Sequence, residues 1–114
     1  MSEVSMAERF QIQTELIEDW LAKKVDQRSQ AIILNVLETF AELGPLSARE
    51  KLPRTRIKFL FDGIFEIRVE QYRIAYFWNN SICYLLHGIQ KKRDDWPQKD
   101  IKIVKTRKKS ICIQ

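Results

Sequence analysis

Glycine, proline, cysteine and histidine are all scarce in this sequence, which has three Gly, three Pro, two Cys and one His. So few Gly and Pro residues argue against a flexible linker or a low-complexity tract. The two cysteines, Cys83 and Cys112, have neither the spacing of a metal site nor the number that a disulfide framework needs. We therefore expect neither a metal nor a cofactor.

Long apolar runs are also absent. The longest, such as 74–78 and 82–86, have about five residues, whereas a membrane span needs roughly 20. Residues 1–10 do not combine a basic start with an apolar run, so they do not look like a secretory signal. These absences predict a soluble, cytoplasmic protein with no membrane partner.

Apolar and charged residues, by contrast, are abundant. Apolar side chains make up 45% of the 114 residues, which is enough to close a core, and this length suits one domain over 1–114 with its core at 10–107. Residues 1–50 hold five Lys or Arg and nine Asp or Glu, a net charge of −4, while residues 51–114 hold fifteen and six, a net charge of +9. A basic half of this kind can neutralise nucleic-acid phosphates. A solvated basic surface without a partner is the alternative.

The acidic half predicts a short strand and two helices that serve packing. Residues 10–13 alternate apolar and polar like a strand, and Thr14 can cap the helix that follows. Asp26 or Ser29 can begin the second helix, and Gly44-Pro45 should end it. The apolar faces would consist of Leu16, Ile17, Trp20 and Leu21 in the first helix and of Ile33, Val36, Leu37, Phe40 and Leu43 in the second.

From residue 46 onward the pattern changes to a basic loop and then to strands. We interpret 46–61 as a basic loop, interrupted by Pro53, that leads into a strand. Aromatic and β-branched residues then predict three strands, at 64–69, 72–78 and 82–89. Turns are expected at Asp62-Gly63, Glu70-Gln71 and Asn79-Asn80.

Short, unbulged turns would fix which side chains share a face of this sheet. The first hairpin then pairs Arg68 with Arg73, an arrangement that makes sense if Glu66 or a bound anion lies between them. The second hairpin pairs Arg73 with Leu86 and Tyr72 with His87. By alternation, Gln90 and Lys92 would join the arginine face while His87 and Lys91 point the other way, and one bulge would reverse this assignment.

The last part of the chain predicts a helix that begins near Pro97, with Asp95 as a possible cap. Ile101 and Val104 would face the core. Residues 105–109 are basic, and residues 111–113 could be a last strand or a loose end.

A series of short motifs runs through the basic half. They are Glu66-Ile-Arg68, Tyr72-Arg-Ile-Ala-Tyr76, Leu85-Leu-His-Gly-Ile-Gln-Lys-Lys92, and Pro97 with a short helix. In this order they resemble the phage-derived RelE/HigB-like toxins of type II toxin–antitoxin systems, in the RelE/ParE superfamily, over about residues 10–107. The resemblance implies an α+β fold with helices packed on a curved, mainly antiparallel sheet. Many members cut messenger RNA in the ribosomal A site, and an antitoxin, often of helix-turn-helix type, neutralises them.

The resemblance also implies roles for individual residues. Arg73 matches the arginine of the family's Tyr-Arg strand motif, which contacts the scissile phosphate. Arg68 matches the arginine of a Glu-Leu-Arg-like motif, and Lys91 and Lys92 match the twin lysines that end the central strand. In several relatives a tyrosine or acidic residue near the last helix takes part in proton transfer, and 98–99 in this chain, Gln-Lys, provides no counterpart.

The chemistry is consistent with these residue types. Cleavage of RNA by its own 2′-hydroxyl needs cations beside a phosphorane and a proton donor and acceptor. Arg68, Arg73 and Lys92 can supply the cations, and Lys91 or Lys92 can act as the base or the acid. We further expect four RNA-binding residues, Arg93, Trp96, Lys51 and Lys58.

Some interpretations stay open. Trp96, beside the basic strand end, is the aromatic residue best placed to stack on a base. His87 is either a core residue or a catalytic one, and the derived register favours the core. Two other functions also fit: a non-enzymatic, gyrase-binding toxin of the ParE branch, and a degenerate nucleic-acid-binding member without activity.

Overall fold

The helices and strands come in the order that the sequence pattern predicts. The computed structural model describes residues 10–93 and 95–113. Their elements are β1 (Gln11–Gln13), α1 (Glu18–Lys24), α2 (Gln27–Lys51), β2 (Ile57–Phe61), β3 (Ile64–Val69), β4 (Tyr72–Asn79), β5 (Ile82–Gln90) and α3 (Gln98–Ile113). The predicted α+β class is confirmed. Of the region compared with a secretory signal, 1–10, residues 1–9 lie outside the described residues.

The first helix starts later than predicted. Its N-cap residue is Ile17, which makes no side-chain capping bond. The Thr14 hydroxyl instead donates to the side chain of Glu18 at 2.8 Å, and the Thr14 carbonyl accepts from the Ile17 amide. The prediction that Thr14 caps this helix is therefore wrong, because a turn separates it from the first helical residue.

The second helix begins as expected. Asp26 is its N-cap, and its carboxylate accepts a 2.8 Å hydrogen bond from the Ser29 amide. The predicted apolar stripe is buried at Ile33, Val36, Leu37 and Phe40.

The end of this helix differs from the prediction. Gly44 has φ 78° and ψ −172° and interrupts α2, but the helix resumes at Pro45 and continues to Lys51. Proline is favourable in the first turn of a helical segment, because an amide there has no intrahelical acceptor. Gly44-Pro45 is therefore a kink, and the interpretation of 46–61 as entirely loop and strand is wrong for its first six residues.

The five strands form one mixed sheet in the order β1-β5-β4-β3-β2. β1 runs parallel to β5, and the other neighbours are antiparallel. The turn residues Asp62, Gly63, Glu70 and Asn80 have positive φ, which fits short hairpin connections.

The first hairpin has the predicted register, and the second does not. Arg68 pairs with Arg73 as expected. In the second hairpin Arg73 pairs with Ile89, because the turn lies at residues 80–81 and a bulge falls between Ala75 and Tyr76. The position of the turn shifts the pairing by two residues from the prediction, which leaves each β5 side chain on its predicted face. The bulge adds one residue, so the β5 side chains beyond it lie on the face opposite to the predicted one.

Helices cover both faces of the sheet, each with its own core. On one face, α2 packs against Ile67, Ile74 and Leu85. On the other, the α3 face, Val104 lies among Ala75, Phe77 and Leu86. As predicted, Val104 is buried and Ile101 packs against the same cluster.

The third helix is longer than expected. The Pro97 carbonyl accepts bonds from the Asp100 and Ile101 amides, so Pro97, not Asp95, stands at the N-cap. The helix includes 111–113, which is therefore neither a strand nor a loose end. In the described part of the chain, every helix is too short or too polar to cross a bilayer.

Candidate nucleic-acid interface

Two arginines lie side by side on the α3 face of the sheet with one carboxylate between them. The hairpin register places Arg68 directly opposite Arg73. Oε2 of Glu66 is 3.3 Å from Nε of Arg68 and 3.8 Å from Nε of Arg73. The predicted arrangement of two cations around Glu66 is therefore confirmed, and the carboxylate offsets part of their mutual repulsion.

Glu66 is held in place by a residue of the segment that precedes α3. The residue is 2% exposed, and its Oε1 accepts a 2.7 Å hydrogen bond from the indole nitrogen of Trp96. A buried carboxylate needs both opposite charge and hydrogen-bond donors, and this one has both. Glu66 is therefore fixed in position between the two arginines.

Trp96 accordingly lies elsewhere than the sequence suggested. We expected this residue to stack on a base, whereas it is 8% exposed and packs in the core under α3. Its indole satisfies a buried acid thirty residues earlier in the chain, a contact that the local sequence does not reveal.

The guanidinium of Arg73 is fixed by the backbone. Its Nη1 donates 2.8 Å bonds to the carbonyls of Glu70 and Tyr72, and its side chain is 10% exposed. In the described residues, its buried Nε has no hydrogen-bond partner, because 3.8 Å to Glu66 is too long. Burial, and then the charge of Arg68, lower the pKa of Arg73, while Glu66 raises it. The group still remains a cation, because an arginine in a protein does not deprotonate.

Arg68 is the more accessible of the two cations. Its side chain is 32% exposed. Its backbone is held by Arg56, which accepts from the Arg68 amide and donates through Nη1 to the Arg68 carbonyl, each at 2.7 Å. No pattern in the sequence marks Arg56, because nothing local predicts which basic residue of the 46–61 segment faces the hairpin.

The basic segment 91–93 follows β5 directly. The amide of Lys91 donates a 2.6 Å bond to the carbonyl of Gln71, which ties this strand end to the turn beside Arg73. Lys92 and Arg93 are exposed. All three line a cavity of about 590 Å³ that also includes Ile89, the register partner of Arg73. The structure thus brings the predicted lysines to the edge of the site formed by Arg68, Arg73 and Glu66, which we call the arginine site.

The bulge changes the faces of the β5 residues. Ile89 and His87 pair with Arg73 and Ala75 and so lie on the arginine face, while Gln90 pairs with Tyr72. The predictions that Gln90 joins the arginine face and that His87 points away are therefore wrong. Lys91 and Lys92 lie beyond the last residue of β5, so alternation along the strand does not decide their direction.

His87 is a satisfied histidine on that face. Its Nε2 lies 2.7 Å from Oδ1 of Asp100, and its side chain is 18% exposed. Its ring centroid is 6.4 Å from that of Trp96. The pair joins β5 to the first turn of α3, and no pattern in the sequence marks Asp100 as the partner of His87.

The two remaining RNA-binding candidates, Lys58 and Lys51, lie in different parts of the fold. Lys58 pairs with Glu66 across β2 and β3 and is exposed, so it lies on the arginine face. Lys51 ends α2, whose core lies against the opposite face of the sheet. In the described residues, no cluster of His, Cys, Asp and Glu can hold a metal ion.

A comparison with known protein families gives a match. A sequence model of the family described as phage-derived protein Gp49-like (DUF891) matches residues 19–109. The match covers both helical layers and the four antiparallel strands, and so includes all the residues of the arginine site. No curated protein matches the chain.

Proposed function

The chain belongs to the Gp49-like family of phage-derived proteins, part of the RelE-like toxin–antitoxin group, and from that premise we propose that it is a toxin that cleaves messenger RNA on the ribosome. The observation that carries the proposal is the fixed guanidinium of Arg73, beside Arg68 and next to a basic cavity. A cation held this firmly on a sheet suits an anion that forms only briefly.

The reaction explains why such cations are needed. The 2′-oxygen loses its proton and bonds to phosphorus, the bond from phosphorus to the 5′-oxygen breaks, and the 5′-oxygen takes up a proton. Negative charge on the phosphoryl oxygens grows between these events. Cations that are already oriented stabilise that charge without reorganisation. In this proposal Arg73 provides the fixed cation, and the partly exposed Arg68 provides the second.

Other basic residues have supporting roles. Lys91 or Lys92, at the edge of the arginine site, transfers a proton as general acid or base. Arg93 and Lys58 bind the RNA backbone, and Lys51 adds long-range attraction. The ribosome positions the messenger RNA, which explains how so open a site can act on one phosphate.

The second partner in this proposal is an antitoxin. Membership of a toxin–antitoxin group supports a cognate antitoxin, and we assign it to the helix-turn-helix type. Since the site is basic, the antitoxin segment that covers it should be acidic or amphipathic. A complex that leaves Arg73 and Lys92 accessible would contradict inhibition by direct coverage.

Induced expression in bacteria tests the nuclease proposal. We expect the wild type to arrest growth and to create new 5′ ends within translated messages, and Arg73→Ala to do neither. Because Arg73 is mostly buried, Lys92→Ala is a second variant at an exposed position of the same site. Its cleavage should fall, while its thermal unfolding should match that of the wild type.

A matched control is Arg28→Ala, an exposed arginine of α2 away from the α3 face. It should keep full toxicity and the same 5′ ends. Growth arrest without new 5′ ends would replace the nuclease with a non-enzymatic toxin of the ParE kind. No arrest by a folded wild type would remove the toxin proposal.

A further inference from the structure

A second basic site lies on α3, at the opposite end of β3 from the arginine pair. A cleft of about 610 Å³ is lined by residues of α3, of the turn between β2 and β3 and of the start of β3, namely Asp62, Ile64, Lys105, Lys108, Lys109 and Cys112. Ile64 begins β3, four residues before Arg68, a separation of roughly 13 Å along a strand. The two basic sites therefore share the α3 face but are distinct.

Aromatic rings position two of these lysines. Nζ of Lys105 lies 5.4 Å from the ring centroid of Phe61, and Nζ of Lys108 lies 5.5 Å from that of Phe77. Lys108 also donates a hydrogen bond to the carbonyl of Asp62. Cation–π contacts and this bond restrict the long side chains, so less rotamer entropy remains to be lost when an anion binds.

The cations of the cleft have little local compensation. In the described residues, no carboxylate forms an ion pair with Lys105, Lys108 or Lys109. Asp62 supplies the one carboxylate among the lining residues. Lys105 and Lys109 are both exposed and lie one helical turn apart, so they present two adjacent charges to solvent.

We propose that Lys105, Lys108 and Lys109 form a second site for the phosphodiester backbone of RNA, one that binds without taking part in cleavage. RNA is favoured over an amphipathic acidic segment because Ile64, the aliphatic residue that lines this cleft, is only 1% exposed and offers no anchor for an apolar side chain, whereas the lysines suit a chain of phosphates. This inference rests on the proposed function only for the choice of RNA as the polyanion.

Salt-dependent binding of a labelled 15-nucleotide oligouridylate to the full chain tests the site. The variant Lys105→Gln/Lys109→Gln removes two exposed charges and leaves Lys108 in place. If each lysine neutralises one phosphate, the slope of log Kd against log salt falls by about 1.4. Between 50 and 200 mM KCl, the wild type should then lose about sevenfold more affinity than the variant. The control Lys23→Gln/Lys24→Gln makes the same charge change on α1, at two exposed positions, and should keep the wild-type slope.

The outcomes separate this site from the nuclease. An equal change of slope in both double variants, an unchanged slope, or no RNA binding by the wild type at 50 mM KCl would each overturn the second site. The second site would also be overturned if the variant Lys105→Gln/Lys109→Gln lost more affinity for a 15-residue polyglutamate than for RNA. That result would assign the cleft to an acidic protein partner. Normal binding without cleavage on the ribosome would overturn the nuclease alone. With cleavage present, the variant should raise KM and leave kcat unchanged.

Discussion

The indole nitrogen of Trp96 lies 2.7 Å from Oε1 of Glu66, thirty residues away in the chain. This bond joins the segment before α3 to the centre of the sheet. The other carboxylate oxygen of Glu66, Oε2, contacts both Arg68 and Arg73. The stability of the fold and the geometry of the candidate site therefore depend on the same buried acid.

Trp96→Phe should lower the stability of the fold and disturb the geometry of the candidate site. The variant keeps an aromatic ring in the core but removes the donor to a buried carboxylate, which costs about 2 kcal/mol of unfolding free energy. Urea denaturation at pH 7 measures the loss. The matched control is Trp78→Phe, a half-buried ring that packs on Phe10 and Phe40. Equal losses in the two variants would show that the Trp96 bond contributes nothing beyond its ring.

Glu66→Gln should leave the arginine pair without its counter-charge. The amide can still accept from Trp96, but Arg73, with a side chain 10% exposed, loses its only paired carboxylate in the described residues. Removing one partner of a buried ion pair costs about 3 kcal/mol at neutral pH.

A double-mutant cycle isolates that interaction. Arg73→Met alone should also destabilise the protein, because it leaves Glu66 beside only the partly exposed Arg68. The double variant Glu66→Gln/Arg73→Met should cost clearly less than the two single losses added together. Additivity to within about 0.5 kcal/mol would mean that the two side chains are not coupled.

Gly88→Ala should strongly destabilise the sheet. A Cβ at this position would come within 2.3 to 2.6 Å of the Trp20 ring, which must then move away from β5. We expect a loss of about 2 kcal/mol or more, typical of an overpacked site, and a shift of tryptophan fluorescence. Gly63→Ala is the control for the added methyl, since its Cβ would meet only Nζ of Lys108 at 3.9 Å. Its φ of 74° makes that change cost about 1 kcal/mol, because a Cβ is unfavourable in the left-handed region. A smaller loss for Gly88→Ala than for Gly63→Ala would contradict the close Trp20 packing.

The two cysteines should differ in reactivity. Burial raises the pKa of the Cys83 thiol far above its ordinary value, and the residue is 0% exposed, whereas Cys112 is exposed on α3. The thiolate is the reactive form. A thiol reagent at pH 8 should therefore modify one cysteine in the folded protein and two in guanidinium chloride. Cys112→Ser should abolish the native reaction, and persistent rapid labelling of that variant would show that β5 opens readily.

The sequence predicted those parts of the fold that depend on local patterns. Strands 64–69 and 72–78 were located to within one residue, because alternation and β-branched residues are local signals. The register of their hairpin followed from a two-residue turn, and this placed Arg68 opposite Arg73. That pair was therefore the best predicted part of the site.

Features that depend on distant contacts were not predictable. The extra residue in β5 has no signal in its own segment, so the face of His87 was assigned wrongly. Trp96 looked like an exposed aromatic beside basic residues, because its buried partner lies on another element. The helical segment that begins at Pro45 was not predicted. Gly-Pro is typical of a helix end, but Pro is equally favourable in the first turn of a new helical segment. Each error concerns a tertiary relationship that overrides a local preference.

The bulge beside Tyr76 has a consequence for how related chains should be compared. Leu86 is the surplus residue, and both it and its neighbour His87 contact the α3 layer. Deleting Leu86 would restore strict alternation, while His87 would still pair with Ala75 and Ile89 with Arg73. A related chain without the bulge should therefore be aligned with a one-residue gap at this position, and the residues on both sides of the gap then keep their faces. An alignment that omits this gap would assign the β5 residues of the related chain to the wrong face of the sheet.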